Sequence, residues 1–400
     1  MEQIQERANA LAPELLRLRR TLHQCPELGF ELPQTRAVVT EELERIGCHD
    51  VRMYGGGLTA WLGKPGRTLL LRADMDALPM EEESGEPFAA TNGAAHACGH
   101  DMHTAMLLGA ARLLKGREAE LNGRVVLMFQ AAEETASGAK AMIDGGILEG
   151  VDGAFAMHVA TQKPVGELNF THGPKTASFD RFAIHIEGQG GHGAFPHKTA
   201  DPVNAAVHLY LALQELVSHE CPPDETAVLT IGAFQAGAAG NVIPASARLE
   251  GTARAARRET RELLLRRLEE LTQGICAAFR TRARVEYLSQ VPPLYNDPAL
   301  AGRMAKVAQS VLGAGRVNED AQRLTASEDF ALASERVPTV YATIGTGLAA
   351  DGYRYGNHHP AVRYDEDILP LGAAVFAACA VDFLKTEPGS GQSKAQPNAR

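Results

Sequence analysis

Potential metal ligands are concentrated in one short segment, where three imidazoles and one thiol fall within eight positions. They are His96, Cys98, His100 and His103, with the carboxylate of Asp101 between them. In an extended segment, residues two apart point the same way, so Cys98 and His100 are expected to aim at one point. A thiolate and an imidazole suit a divalent transition ion such as zinc, cobalt or manganese. The structural alternative is a buried Cys98 beside an Asp101 that caps a helix.

More carboxylates and imidazoles follow predicted strands. The strands are expected at residues 68–71, 125–129 and 154–157, and they are followed by Asp74 and Asp76, by Glu133 and Glu134, and by His158. Ligands of open α/β sheets bind beyond the carboxyl ends of the strands, so these side chains are expected to converge. Each also has a structural alternative: a turn-forming Asp74, a Glu134 that favours a helix N-terminus, and a His158 satisfied within the core.

The adjacent pair Glu133 and Glu134 is suited to metal-assisted hydrolysis. Neighbouring side chains at a strand end point in different directions, so one carboxylate can bind metal while the other acts as general base. A metal ion lowers the pKa of bound water from ~15.7 to about 7, and a nearby carboxylate then takes the proton. His358 and His359, which precede Pro360, could complete the ligand set or could be two exposed loop histidines.

Together these motifs resemble the M20 metallopeptidases. The matching segments are residues 72–79, 96–105, 129–134 and 157–159, with further matches at 22–27, 188–197, 240–244, 250–254, 327–330 and 358–360. The chain is most similar to the aminoacylase and amidohydrolase branch, which includes hippurate hydrolases, N-acyl-amino-acid amidohydrolases and plant auxin-conjugate hydrolases. The resemblance extends over nearly the whole chain, from about residue 15 to about residue 383.

The resemblance implies two divalent metal ions per chain, which could be Mn, Zn, Co or Ni. The positions that match the family's metal ligands are Cys98, His100, Glu134, His158 and His358. Glu133 matches the general base, and Asp74 matches a carboxylate that orients a metal-ligand side chain. His359 occupies a variable family position and is treated as a non-ligand. His96 and His103 also lie outside the family's ligand set.

The middle of the chain resembles the family's lid and dimerisation domain. His192 matches a histidine that reaches a neighbouring active site and helps to stabilise the tetrahedral oxyanion. Asn241 matches a lid residue that contacts substrate. Arg254 could pair with a substrate carboxylate, because a guanidinium binds that group through two hydrogen bonds. The alternative for Arg254 is an ordinary surface salt bridge.

Alternation of strands and helices predicts an α/β fold whose catalytic domain has a mixed, largely parallel sheet flanked by helices and is interrupted by a smaller α+β lid domain. The expected domains are a discontinuous catalytic domain at 1–177 and 289–385, a lid and dimerisation domain at 178–288, and a disordered tail at 386–400. The expected helices include residues 3–23, 102–114 after an Asp101 N-cap, and 372–383.

Composition limits the class of protein. A chain of 400 residues exceeds the ~250–300 at which a single core stops growing, so two domains are expected. A net charge of -10 argues against nucleic-acid binding. The chain contains no apolar run of ~18 residues, so no membrane span is expected, and the polar N-terminus has no signal-peptide pattern. Six scattered cysteines predict reduced thiols in a cytoplasmic protein.

The leading functional prediction is a metal-dependent amidohydrolase that cleaves the amide bond of N-acyl amino acids, with Glu133 as general base. A metallo-carboxypeptidase or dipeptidase would use the same site, because the substrates differ only beyond the scissile amide. A non-catalytic protein that binds acylated metabolites is a hypothesis from another class, and a purely structural dimer is a fourth. The expected partners are an N-acyl amino acid or short peptide and a second copy of the chain, forming a homodimer or homotetramer through the lid domain.

Overall fold

A computed structural model describes residues 2–324 and 326–385. Within them the chain forms two compact units. The first comprises residues 2–173, 296–322 and 332–385, and the second comprises residues 174–295 and 323–331 apart from residue 325. This division assigns residues 323–331 to the second unit, whereas the predicted catalytic domain included them. The tail predicted at 386–400 lies outside the described residues.

The strands are short to medium in length. In chain order they are His49–Tyr54 (β1), Gly57–Gly63 (β2), Arg67–Asp74 (β3), Gly123–Gln130 (β4), Gly153–Ala160 (β5), Leu168–Asn169 (β6), Gly173–Pro174 (β7), Phe179–Glu187 (β8), Gly191–His192 (β9), Ala227–Ala236 (β10), Val242–Ile243 (β11), Ser246–Ala255 (β12), Arg282–Val291 (β13), Tyr295–Asn296 (β14), Val317–Asn318 (β15) and Thr339–Gly345 (β16).

The helices alternate with these strands. They are Glu2–Ala10 (α1), Ala12–His23 (α2), Pro33–Ile46 (α3), His100–Lys115 (α4), Gly138–Asp144 (α5), Pro202–Glu215 (α6), Arg258–Ala278 (α7), Pro298–Leu312 (α8), Ala331–Ser334 (α9) and Ile368–Phe383 (α10). A π-helical turn, Leu216–Glu220, follows α6. Among the described helices, none combines the length and the apolar composition needed to cross a membrane.

The first unit is built on an eight-stranded sheet in the order β1-β2-β4-β3-β5-β16-β6-β15. The four central strands β4, β3, β5 and β16 run parallel, while β1 and β2 pair antiparallel at one edge. Leu69, Leu70 and Leu71 of β3 are fully buried, as expected for a central parallel strand covered on both faces. Helices α4 and α10 pack on each other beside this sheet. The α/β prediction is confirmed.

The second unit is a smaller α+β layer. Its antiparallel sheet has the order β10-β12-β8-β13, and α6 and α7 pack against it. Strand β8 buries Phe182, Ile184 and Ile186, and residues spaced by two share one face of a strand. The predicted interruption of the α/β domain by an α+β unit is therefore also confirmed.

Two helix predictions are wrong in part. The helix expected over residues 3–23 is divided at Leu11, because Pro13 lies in the first turn of a second helix, α2, a position that proline tolerates. Helix α4 begins at His100 with Gly99 as its N-cap, so Asp101 is not the cap. The Asp101 carboxylate instead accepts a hydrogen bond from His23 at 2.7 Å.

Candidate metal centre

The candidate centre lies at the carboxyl ends of the central strands of the first unit. Strand β3 ends at Asp74, which is paired in register with Gln130, the last residue of β4. His158 lies near the end of β5. The turn after β4 carries Glu133 and Glu134. The centre therefore occupies the edge of the sheet at which parallel α/β folds bind their ligands.

A turn at Gly99 brings Cys98 beside His100. Gly99 has a φ of 80°, in the left-handed region that favours glycine. A Cβ atom there would lie 2.4 Å from Cγ2 of Val159. The segment is thus a turn followed by a helix start, and the extended alternation that we expected for Cys98 and His100 is wrong. The two side chains converge across the turn at Gly99.

Cys98, His100 and His158 form one cluster, whose ligand atoms all lie within 4.8 Å of one another. Sγ of Cys98 is 3.4 Å from Nε2 of His158. Nδ1 of His158 donates to the carbonyl of Val159 at 2.7 Å, which leaves Nε2 unprotonated and turned toward the thiol. Two ligand atoms bound ~2.1–2.3 Å from a tetrahedral ion lie about 3.5 Å apart. The spacing fits a shared ion.

Glu134 joins this cluster to His358. Its Oε1 atom lies 3.5 Å from Nε2 of His358 and 3.8 Å from Nε2 of His100. His358 has a φ of 67°, and its backbone N–H donates to the carbonyl of Ala97 at 2.7 Å. That bond fixes the His358 loop beside the segment that carries Cys98. Cys98, Glu134 and His358 thus form a second cluster that shares a member with the first.

Glu133 and Glu134 lie in a turn, not at the end of a strand as expected, so strand alternation does not set their directions. Both carboxylates reach His100, and Oε2 of Glu133 lies 4.0 Å from Nε2 of that ring. What distinguishes the pair is the second neighbour. Glu134 also approaches His358. Among the described residues, His100 is the one histidine that is grouped with Glu133.

His103 supports the centre without offering a free nitrogen. The backbone N–H of Val159 donates to Nε2 of His103 at 2.9 Å, so Nδ1 carries the proton and donates to Asp74 at 2.5 Å. The second oxygen of Asp74 pairs with Arg72 at 2.7 Å. The His103 ring packs against the ring of His158, with centroids 4.4 Å apart. Asp74 therefore acts on His158 through His103, and its Oδ2 atom also lies 3.8 Å from Nε2 of His100.

Burial and charge set the protonation of the centre. Burial raises the pKa of the Cys98 thiol well above its usual value and lowers the pKa of His158 well below its usual value. Burial would also lower the pKa of His100, but the negative charge of Asp74 opposes this effect and the pKa of His100 is raised. A metal ligand must lose its proton, so metal binding here must release protons and depend on pH.

The donor atoms fit a divalent metal. Both ring nitrogens of His100 and Oε1 of Glu134 are buried and make no hydrogen bond to any described residue. Buried polar atoms normally have a partner, and a thiolate, imidazoles and a carboxylate are the donors that zinc and related ions bind. These orphaned atoms are explained if ions bind between them.

The remaining predicted site residues, His192, Asn241 and Arg254, belong to the second unit. His192 is exposed and pairs with Val242 across β9 and β11. Asn241 is also exposed, and its carbonyl accepts a hydrogen bond from Gly193. The half-buried guanidinium of Arg254 lies 4.6 Å from the centre of the Phe179 ring.

Three residues at the candidate centre were given no specific role from the sequence: Arg72, Asp76, which was only expected to converge with its neighbours, and His103, which was counted among the potential ligands but lies outside the family's ligand set. Arg72 and Asp74 lie two apart on β3 and so share a face, which was a usable signal for their ion pair. For His103 the signal was its spacing from His100, although spacing does not distinguish a ligand from a support. The partners of Asp76 are backbone N–H groups, which no residue pattern reveals.

Comparison with known proteins gives consistent matches. The model of peptidase family M20/M25/M40 matches residues 70–382. N-acetylcysteine deacetylase of Bacillus subtilis is 36% identical over 382 residues, covering 94% of this chain and 98% of that protein. Thermostable carboxypeptidase 2 of Saccharolobus solfataricus is 33% identical over 392 residues, covering 96% and 98%. A dinuclear metal-binding peptidase of the M20 family from Bacillus subtilis has a solved structure with a TM-score of 0.81 and 34% identity, covering 94% and 99%.

Proposed function

Since the chain belongs to peptidase family M20/M25/M40, we propose that it hydrolyses N-acyl amino acids at the candidate metal centre of its first unit. The membership confirms the resemblance seen in the motifs, and the chain is a hydrolase that acts on amide bonds. A non-catalytic binding protein and a purely structural dimer are thereby set aside. The narrower choice of N-acyl amino acids draws on the deacetylase relative.

One observation carries the proposal: the convergence of buried metal-ligand atoms that have no hydrogen-bond partner in the described part of the chain. His100 and Glu134 supply these atoms, and Cys98 and His158 add a thiol and an unprotonated imidazole nitrogen. We propose Cys98, His100, Glu134, His158 and His358 as the ligands of two divalent ions, chosen from Mn, Zn, Co and Ni. Bound ions of this kind would lower the pKa of water and polarise the amide carbonyl.

Glu133 is the proposed general base. Its side chain is 13% exposed and lies beside His100, so it can reach a water molecule while remaining largely shielded from bulk solvent. The carboxylate would take a proton from that water and pass it to the leaving nitrogen, which cannot depart as an anion. Asp74, through His103, would hold the ring of His158 in place.

The second unit supplies the proposed substrate contacts. His192 would donate a hydrogen bond to the oxyanion, a contribution that can exceed ~2.7 kcal/mol for one well-placed donor. Asn241 would contact the substrate. Arg254 forms no ion pair with a carboxylate among the described residues, which argues against the surface-salt-bridge alternative. Its guanidinium would bind the α-carboxylate of the substrate.

A homodimer or homotetramer is proposed to form through the second unit, which would act as the lid domain. Helix α6 exposes three large apolar side chains, Val207, Tyr210 and Leu211. Strand β10 is an edge of the four-stranded sheet, and an exposed strand edge can pair with another chain. A second copy would cover both features.

The cytoplasm is the proposed location, and the six free thiols support it.

The same site would serve a carboxypeptidase or dipeptidase, and the carboxypeptidase relative keeps that alternative open.

Protein stripped of metal and reloaded with Mn, Zn, Co or Ni should be incubated with N-acetyl amino acids, N-benzoyl amino acids and dipeptides. We expect the acyl amino acids to give the highest kcat/KM, and their α-methyl esters to bind worse because Arg254 loses its partner. Preference for dipeptides would move the assignment to a peptidase, and no cleavage with any metal would refute the proposal.

A further inference from the structure

We infer that Asp76 is a positioning residue that holds the Glu133–Glu134 pair at the reaction centre by binding the backbone N–H groups of both residues. The inference rests on the proposed function, because it concerns how the general base and a proposed metal ligand are aligned. Asp76 has no assigned part in the reaction so far, although it is only 1% exposed.

The contacts of Asp76 are complementary to the turn. Its Oδ1 atom accepts a hydrogen bond from the Glu133 N–H at 3.0 Å, and its Oδ2 atom accepts one from the Glu134 N–H at 3.1 Å. One planar carboxylate therefore binds two consecutive amides. Because the two oxygens belong to one rigid group, the carboxylate holds the two amides in fixed positions relative to each other.

The turn needs such an anchor, because its backbone is held in an uncommon conformation. Ala132 and Ala136, which flank the pair, have φ values of 56° and 53°. Positive φ values are disfavoured for residues with a side chain, and strain of this kind persists only where surrounding contacts enforce it. Other bonds close the turn from Ala136 and Gly138 back to Glu133 and Ala132, but the N–H groups of the pair itself are bound by Asp76.

Asp76 also lies against a proposed metal ligand. Its Oδ1 atom is 3.6 Å from Nδ1 of His100, the ring nitrogen on the side away from Nε2, which faces Glu134. The carboxylate thus lies between the glutamate turn and the His100 ring. A change at Asp76 should therefore displace both Glu133, the proposed base, and Glu134, a proposed ligand, relative to His100.

Asp76→Asn tests the inference, because the amide keeps the shape of the carboxylate but places an N–H₂ donor against one backbone N–H. We expect hydrogen exchange of the amides in residues 131–137 to become faster. We expect the absorption spectrum of the cobalt-loaded protein to change, and kcat to fall ~10–100-fold while KM changes little. Asp152→Asn is the matched control, since Asp152 accepts a hydrogen bond from the backbone N–H of Thr68 at 2.8 Å, near the opposite end of β3.

Unchanged exchange in residues 131–137 would overturn the inference, and so would faster exchange with an unchanged cobalt spectrum and kcat. If Asp76→Asn does not fold, Asp76→Ser is judged by the same criteria, because its hydroxyl can accept from only one N–H. If the wild-type protein cleaves no substrate, the proposed function fails on its own. Exchange and the cobalt spectrum still decide the role of Asp76 in that case.

Discussion

The imidazoles of the candidate centre differ in their hydrogen-bond partners, and those partners decide what each nitrogen can do. His103 uses both nitrogens, one toward Asp74 and one toward Val159, so it cannot bind an ion without breaking a bond. Nδ1 of His158 donates to a backbone carbonyl while its Nε2 faces the Cys98 thiol, and neither nitrogen of His100 has a hydrogen-bond partner among the described residues. The residue types were predicted from the sequence, but this sorting into ligands and supports depends on contacts that spacing alone does not determine.

His358 and His359 form a matched pair for testing the ligand assignment. Nε2 of His358 lies 3.5 Å from Glu134, whereas the His359 ring stacks on Tyr355 with centroids 4.0 Å apart, and its Nδ1 accepts a bond from the Ala361 N–H. We expect His358→Ala to lower the metal bound per chain, measured by elemental analysis after dialysis. His359→Ala should leave the metal content unchanged. The reverse result would exchange the two assignments.

At the scale of elements, the start of helix α4 positions the centre, and Gly99 controls that start. We expect Gly99→Ala to destabilise the protein by ~2–4 kcal/mol, because it adds overpacking against Val159 to a disfavoured φ. Denaturant unfolding measures this loss. Gly85→Ala is the control, since Gly85 has a φ of 71° with open space around it, and it should cost only about 1 kcal/mol. Equal losses would show that the contact with Val159 does not matter.

Helices α2 and α4 are joined by a buried ionic cluster that should depend on pH. His23 lies 2.7 Å from Asp101 and 3.0 Å from Glu82. Burial would lower the pKa of His23, and Arg19 also opposes its charge, but the two carboxylates outweigh both and raise that pKa. A raised pKa stabilises the fold fully below the unfolded pKa of ~6.5, and the stabilisation is lost as pH rises through the folded pKa.

The variant His23→Gln removes this charge. In metal-stripped protein, we expect it to lower Tm more at pH 5.5 than at pH 9, relative to wild type, as followed by scanning fluorimetry across that range. Asp101 and Glu82 remain in the variant, so the difference between the two proteins isolates His23. A loss of Tm that is constant with pH would contradict a charged His23 in the folded state.

Prediction from the sequence succeeded where the signal was local. The central strands were found because buried parallel strands are continuous apolar runs, as at Leu69–Leu71, and the donor residues were found because they cluster in short motifs. It failed where the deciding partner is distant in the chain. Asp101 was expected to cap its own helix, yet it pairs with His23, 78 positions away. The helix start at His100 follows the left-handed backbone of Gly99, where Val159 leaves no room for a Cβ atom, and sequence periodicity does not contain this constraint.

At the scale of the whole molecule, the chain divides its proposed chemistry between two units. The first carries the donor atoms and Glu133, and the second carries His192, Asn241 and Arg254. Hydrolysis as proposed needs both sets at one substrate, and the resemblance to known family members implies that His192 acts in a neighbouring copy. Association through the second unit is therefore part of the proposed function.

The exposed face of α6 allows that association to be tested. Leu211 is 60% exposed on α6, and burying it against a second copy would remove apolar surface from water. We expect wild-type protein to be a dimer or tetramer by light scattering and Leu211→Glu to dissociate it. Leu288→Glu, at a 41% exposed position on β13, should leave the assembly intact. A wild-type monomer, or an assembly unaffected by Leu211→Glu, would refute the proposed interface.

The central claim is that this centre hydrolyses an amide through bound metal with Glu133 as base. The most direct measurement follows bound metal and turnover of an N-acyl amino acid together, as metal is removed and returned to wild-type protein and to Glu133→Gln. We predict that wild type loses and regains activity with its metal. The variant should rebind the same amount of metal but fall ~10²–10⁴-fold in kcat. Turnover that persists without metal, or a Glu133→Gln variant with wild-type kcat, would contradict the account.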